Sequence, residues 1–200
     1  MRKLLAVALV TLLAACASTD RPKPAPLAAN VPLLGVRAAW TAAVGPVEFA
    51  LDVRVVDGRA YLASSAGTVV ALDAQTGADV WRVALDTPLS AGVGSDGRYS
   101  AVVTRANELV VLDGGKVSWR QRLKALTLTA PLVAGGRVFT LSSDRSVSAF
   151  DVGTGQKLWQ QQKPGEALVL GQAGLLTAVG DTLVVGFGNR VTGLNPLNGS

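Results

Sequence analysis

Histidine is missing from all 200 residues, and with it go the commonest general base and the commonest transition-metal ligand. A hydrolase built on a Ser-His-Asp arrangement is therefore excluded. Cysteine occurs once, at Cys16, so no disulfide can form within the chain. Only 16% of residues are charged, and no acids gather in a pattern suited to calcium. The net charge of +5 is mild. It argues against nucleic acid as a partner, which would call for basic residues clustered on one face with aromatics between them. Beyond the first 15 residues no apolar run reaches the ~20 residues needed to cross a bilayer. Nothing long enough shows the 3.6-residue apolar period of a helix.

What is present begins with a leader. Arg2 and Lys3 precede an apolar run from Leu4 to Leu13, and Ala14-Ala15 follow, the three parts of a secretory signal. Leu13-Ala14-Ala15-Cys16 resembles the lipobox of bacterial lipoproteins. That resemblance implies removal of residues 1–15 and acylation of Cys16 as the mature N-terminus, with the net charge falling to +3 as Arg2 and Lys3 leave. It also implies outer-membrane sorting, because Ala17 and not Asp follows the cysteine. Stable anchoring requires several buried acyl chains, at ~0.8 kcal/mol per methylene. Residues 16–35 form the tether: Pro22, Pro24, Pro26 and Pro32 exclude helix and favour an extended linker.

Residues 36–200 repeat. Trp40, Trp81, Trp119 and Trp159 are spaced by 41, 38 and 40 residues. Ahead of the last three stand ALDAQTGADVW, VLDGGKVSW and AFDVGTGQKLW, and a further copy opens at GLNPLNG. Upstream in each unit a turn precedes a β-rich run: VDGRAYLAS, SDGRYSAVV, AGGRVFTLS and AVGDTLVVG. In the third unit LTAPLVAGG supplies an inner strand and turn, and the further strands fall on RVFTLSS, SVSAFD and KLWQQQ. Short Val- and Leu-rich runs bounded by Gly, Asp and Asn signal hairpins. Four strands in a period near 40 predict an all-β propeller with about four four-stranded blades.

The repeated residues carry a structural reading. Asp73 can accept turn N–H groups, and Gly77 can take the positive φ that closes the turn. Asp113 with Gly115, Asp151 with Gly155, and Asn195 with Gly199 repeat the arrangement. Trp81, Trp119 and Trp159 supply flat surfaces to pack between adjoining sheets. Competing readings are metal binding by the acids, and sugar binding or redox chemistry at the tryptophans. Acids recurring once per blade lie far apart, which disfavours a metal site; no metal, cofactor or catalytic residue is expected.

The unit Ala71 to Trp81 resembles the tryptophan-docking motif of pyrroloquinoline-quinone (PQQ) propellers, in which Ala, Asp, Thr-Gly and Trp recur blade by blade. With the lipobox and the proline linker, the chain resembles the BamB family of outer-membrane protein assembly factors. The resemblance implies a lipid-anchored, non-enzymatic scaffold of the barrel-assembly machinery, facing the periplasm and docked on the periplasmic domains of the barrel subunit BamA. It also implies eight blades, which at about 40 residues each need about 320 residues; this sequence supplies about half. Two expectations compete: half of an eight-bladed ring, or closure as four blades with VRAAWTAAV (36–44) supplying the missing last strand.

Two stretches carry the functional question. In GEALVLGQAG (165–174), Leu168, Val169 and Leu170 are candidates for binding the partner or for an inner strand. The resemblance implies docking in this region through a motif with arginine, and Leu170 stands at that place, leaving apolar contact. In KVSWRQRLK (116–124), strict alternation puts Lys116, Arg120, Arg122 and Lys124 on one face and Val117, Trp119 and Leu123 on the other. That face could attract acidic lipid or a partner, or could block edge pairing. The alternatives to a scaffold are a quinoprotein dehydrogenase and a periplasmic ligand-binding propeller.

Overall fold

A computed structural model describes residues 24–26, 37–162 and 174–200. Cys16, most of the tether and the Leu168–Leu170 run lie outside the described residues. Residues 1–37 and 38–200 form separate units, and every strand among the described residues lies in the second.

Among the described residues fifteen strands make four antiparallel sheets, each paired in chain order. Blade 1 comprises β1 (Arg54–Val56), β2 (Arg59–Ala63), β3 (Thr68–Asp73) and β4 (Asp79–Ala84). Blade 2 comprises β5 (Leu89–Ser95), β6 (Tyr99–Thr104), β7 (Glu108–Asp113) and β8 (Lys116–Arg122). Blade 3 follows with β9 (Leu132–Ala134), β10 (Arg137–Leu141), β11 (Ser146–Asp151) and β12 (Lys157–Gln162), and blade 4 with β13 (Leu175–Val179), β14 (Thr182–Phe187) and β15 (Arg190–Leu194). The strands of the third repeat stand where its turn residues and β-branched runs predict them. The meander is a propeller's, and among the described residues no helix is long and apolar enough to cross a membrane.

The third strands read as continuous apolar runs, TVVALD and ELVVLD, because both faces are covered: β3 and β7 bury every residue but the two at their ends. The outermost strands β4, β8 and β12 stay largely exposed. Among the described residues three apolar cores fill the gaps between successive blades. The first joins Tyr61, Val69 and Ala71 to Val102, Val110 and Leu112. The second joins Leu109, Val111 and Leu123 to Val138 and Phe150, and the third joins Phe139, Leu141 and Val147 to Leu183, Val185 and Leu194.

Two expectations need correction. Residues 37–44 do not complete blade 4, whose described sheet has three strands with β15 at its edge. Trp40 is instead held by blade 1: its indole N–H donates to the Ala74 carbonyl at 3.1 Å, and its ring lies against Gly77. Nor do the charges of β8 share one face. Val111 opposes Trp119 but Leu112 opposes Val117, so a bulge falls at Ser118. The extra residue reverses the alternation. Lys116 therefore joins the face of Trp119 and Gln121, and Val117 joins that of Arg120 and Arg122.

Candidate docking surface

The antiparallel meander sends its turns to opposite ends of the sheets. One end carries the β3–β4 turns and their repeated acids. Asp73 Oδ1 accepts the backbone N–H groups of Gln75 and Thr76 at 3.0 and 2.8 Å and the Thr76 hydroxyl at 2.9 Å. Asp151 holds Gly153 and Thr154 in the same way. These bonds favour the charged form, so both carboxyls lie below the usual range: Asp73 chiefly through the Thr76 hydroxyl, Asp151 chiefly through the Thr154 N–H. Gly77 and Gly155 close the turns at φ of 73° and 74°. Asn195 makes the equivalent turn with a neutral amide, accepting from Leu197 N–H at 2.8 Å.

Asp113 departs from the pattern. Its turn is the two-residue Gly114-Gly115, both with positive φ, which leaves no turn N–H for the carboxylate. It takes a bidentate bond from Arg98 instead, at 3.0 and 2.8 Å, and this lowers its pKa.

Each tryptophan docks on the turn of the following blade. Trp119 donates to Val152 O at 2.8 Å and Trp159 to Pro196 O at 3.0 Å. Trp81 lies against Gly115 and, facing the shortened turn, makes no such bond. These acids and rings hold neighbouring blades in place; among the described residues no three acids or cysteines converge on a metal-sized point.

The opposite end carries the blade-to-blade connections, and there the polarity is inverted. In Leu126-Thr127-Leu128-Thr129, between β8 and β9, Thr127 and Thr129 are 0% and 4% exposed while Leu126 is 47% exposed and Leu128 half-buried. The threonines turn inward because each is bonded there. Thr127 Oγ1 lies 2.8 Å from Ser142 Oγ, its N–H donates to Asn107 Oδ1 at 3.1 Å, and Thr129 Oγ1 accepts the Gly174 N–H at 2.8 Å. With the threonines satisfied inside, the leucines point out. They line a cleft of about 590 Å³ with Phe49 and Leu89, at whose rim Arg105 pairs with Glu48.

The Gly174 bond ties this connection to the end of the one between β12 and β13, which contains Leu168, Val169 and Leu170. Beside it, Arg145 lies 5.7 Å over the Phe187 ring in a cleft of about 320 Å³ that Arg190 also lines. Sequence reasoning singled out 165–174 but missed Leu126 and Leu128. Their signal was an alternation whose apolar members face water, which no periodicity distinguishes from one facing a core.

The family model for outer membrane protein assembly factor BamB matches residues 39–200. The outer membrane protein assembly factor BamB of Bordetella pertussis (strain Tohama I) is 34% identical over 184 residues, 90% of this chain and 48% of that protein. That of Burkholderia pseudomallei (strain K96243) is 36% identical over 194 residues, 94% of this chain and 51% of that protein. The crystal structure of BamB from Moraxella catarrhalis has a TM-score of 0.63 at 21% identity, over 74% of this chain and 46% of that one. The chain thus spans about half the length of the curated relatives it matches. Blade meander, docked tryptophans and a match running from residue 39 to 200 agree: the chain belongs to the outer membrane protein assembly factor BamB family.

Proposed function

We propose that this protein is a non-enzymatic scaffold of the outer-membrane β-barrel assembly machinery. It is anchored in the outer membrane through acyl chains, palmitate among them, on Cys16, faces the periplasm, and docks on the periplasmic domains of the barrel subunit BamA to assist insertion of outer-membrane proteins. The carrying observation is the inverted connection: Leu126 is left 47% exposed beside buried, fully bonded threonines. Exposed apolar side chains grouped on one face mark a partner surface. Leu168, Val169 and Leu170, apolar residues of the connection between β12 and β13, are proposed as a second partner-binding group.

The test is the affinity of the chain for the isolated periplasmic domains of BamA, measured with Leu126→Ser/Leu128→Ser and with Leu168→Ser/Leu170→Ser. Apolar anchors of an interface cost about 1 kcal/mol or more each when truncated, so a loss of about thirtyfold is expected for either pair. An unchanged affinity in both would overturn the reading.

A further inference from the structure

From the two open faces of the sheet array we infer that two copies of this chain close one ring, in which residues 38–44 of each copy form the outermost strand of the other copy's blade 4. Blade 4 exposes what the other blades bury. Counted back from the turn acid or amide, Val191 corresponds to Val69, Leu109 and Val147. Those three are each 0% exposed and pack toward the following blade, whereas Val191 is 71% exposed. Strand pairing sets Val191 beside Gly186 and Gly186 beside Leu175. Leu175 and, four residues on, Val179 therefore share its face, and they are 54% and 64% exposed. Among the described residues β15 also has no partner on its outer side, so its backbone N–H and C=O groups are a template for a further strand.

The complementary half lies at blade 1. Among the described residues 38–44 pair with no strand, yet they are laid as the outermost strand of a preceding blade would be. Trp40 meets the blade 1 turn as the other tryptophans meet theirs. A Cβ on Gly77 would stand 2.6 Å from the Trp40 ring, against 2.9, 2.7 and 2.8 Å for Gly115 with Trp81, Gly155 with Trp119 and Gly199 with Trp159. The connection that follows agrees: the Pro46 carbonyl accepts the Ser65 N–H at 2.8 Å, as Pro88 accepts from Arg105 at 2.9 Å and Leu126 from Ser143 at 2.7 Å. On the blade itself Val55 is 61% exposed while its neighbour Val56 packs into the blade 1–blade 2 core. One half of a seam is thus presented by blade 4 and the other half by blade 1 with its docked Trp40. Within one chain the halves stay apart, since β15 remains an edge and Val191 remains exposed. A second copy satisfies both at once, because a contact between two unlike patches, repeated about a two-fold axis, closes into a ring. The lengths agree with this: the chain spans 48% and 51% of the two curated relatives, so two copies match one of them.

Blades 1 to 3 supply the register. In each, the residue two beyond the tryptophan pairs with Val69, Leu109 or Val147, which sets Ala42 of one copy opposite Val191 of the other. The experiment is disulfide trapping in the full chain carrying Cys16→Ser, so that no other thiol is present. Ala42→Cys/Val191→Cys should oxidise to a covalent dimer on a non-reducing gel. The yield should be about tenfold above that of Ala42→Cys/Thr192→Cys, whose thiols point to opposite faces and cannot be bridged. Val191→Asp changes a side chain that is exposed in the single copy, so it should leave the fold intact and convert the dimer seen by light scattering to a monomer. A monomer with an internal disulfide would overturn the inference, by showing that residues 38–44 close on their own chain. Equal trapping in the two cysteine pairs, a monomeric parent, or a dimer that survives Val191→Asp would overturn it as well.

Discussion

Gly58 and Gly155 hold nearly the same left-handed backbone, with φ of 70° and 74°, but their surroundings differ. A Cβ on Gly58 would meet nothing within 4 Å, whereas one on Gly155 would stand 2.7 Å from Trp119 Cδ2. Gly58→Ala should therefore cost only the conformational penalty, about 1–2 kcal/mol. Gly155→Ala should cost that and also displace the indole from Val152 O, adding about 1 kcal/mol for the lost hydrogen bond and more for the disturbed packing. Chemical denaturation of the two variants checks the order. The turn acids give a second prediction. The pKa values of Asp73 and Asp151 are lowered in the folded state, so their stabilisation is complete above the ordinary carboxylate range near pH 4 and is lost as pH falls below it through the depressed values. Asn195 shows that a neutral amide can hold the same turn. Asp73→Asn/Asp151→Asn should accordingly keep the fold at neutral pH and flatten the acid limb of the stability profile; an unaltered acid limb would show that the turn bonds contribute nothing.

Among the elements, the outermost strands repeat a device that periodicity conceals. Bulges fall at Val80, Ser118 and Leu158, each one residue before the docking tryptophan. Each lets the turn residues pair on one register and the tryptophan on another, aiming the ring at the following blade. Deleting Ser118 should destabilise far more than Ser118→Ala, because it forces either Trp119 or the Lys116–Asp113 pairing onto the wrong face; hydrogen exchange along β8 would show the slip. This is also where reading the sequence failed. The strands of blade 3 were legible because turn glycines, acids and β-branched runs act locally. The face of Lys116 was not, because a bulge is a tertiary adjustment that leaves composition unchanged. The outward-facing leucines 126 and 128 escaped for a related reason: what turns Thr127 and Thr129 inward is Asn107, Ser142 and Gly174, partners between 15 and 45 residues away in sequence.

Across the molecule, cohesion is distributed over three seams, one apolar core for each pair of successive blades. Stability in such an arrangement approximates a sum of blade and neighbour-interface contributions, so the consequence of a cavity depends on which seam contains it. Leu109 and Leu183 are 0% and 1% exposed and lose the same atoms on mutation to alanine, each costing about 2–5 kcal/mol. Leu183→Ala weakens the third seam, whose far side is the three-stranded sheet β13–β15, and should let that sheet exchange its amides early while β1–β4 remain protected. Leu109→Ala weakens the second seam, which has two sheets on either side, and should speed exchange across β5–β12 together. Native-state hydrogen exchange resolved by strand distinguishes these patterns. Uniform acceleration of all four sheets by Leu183→Ala would mean that the seams melt as one cooperative unit, and the apolar connection bearing Leu126 and Leu128 would then be held rigid by the whole propeller and not by blades 2 and 3 alone.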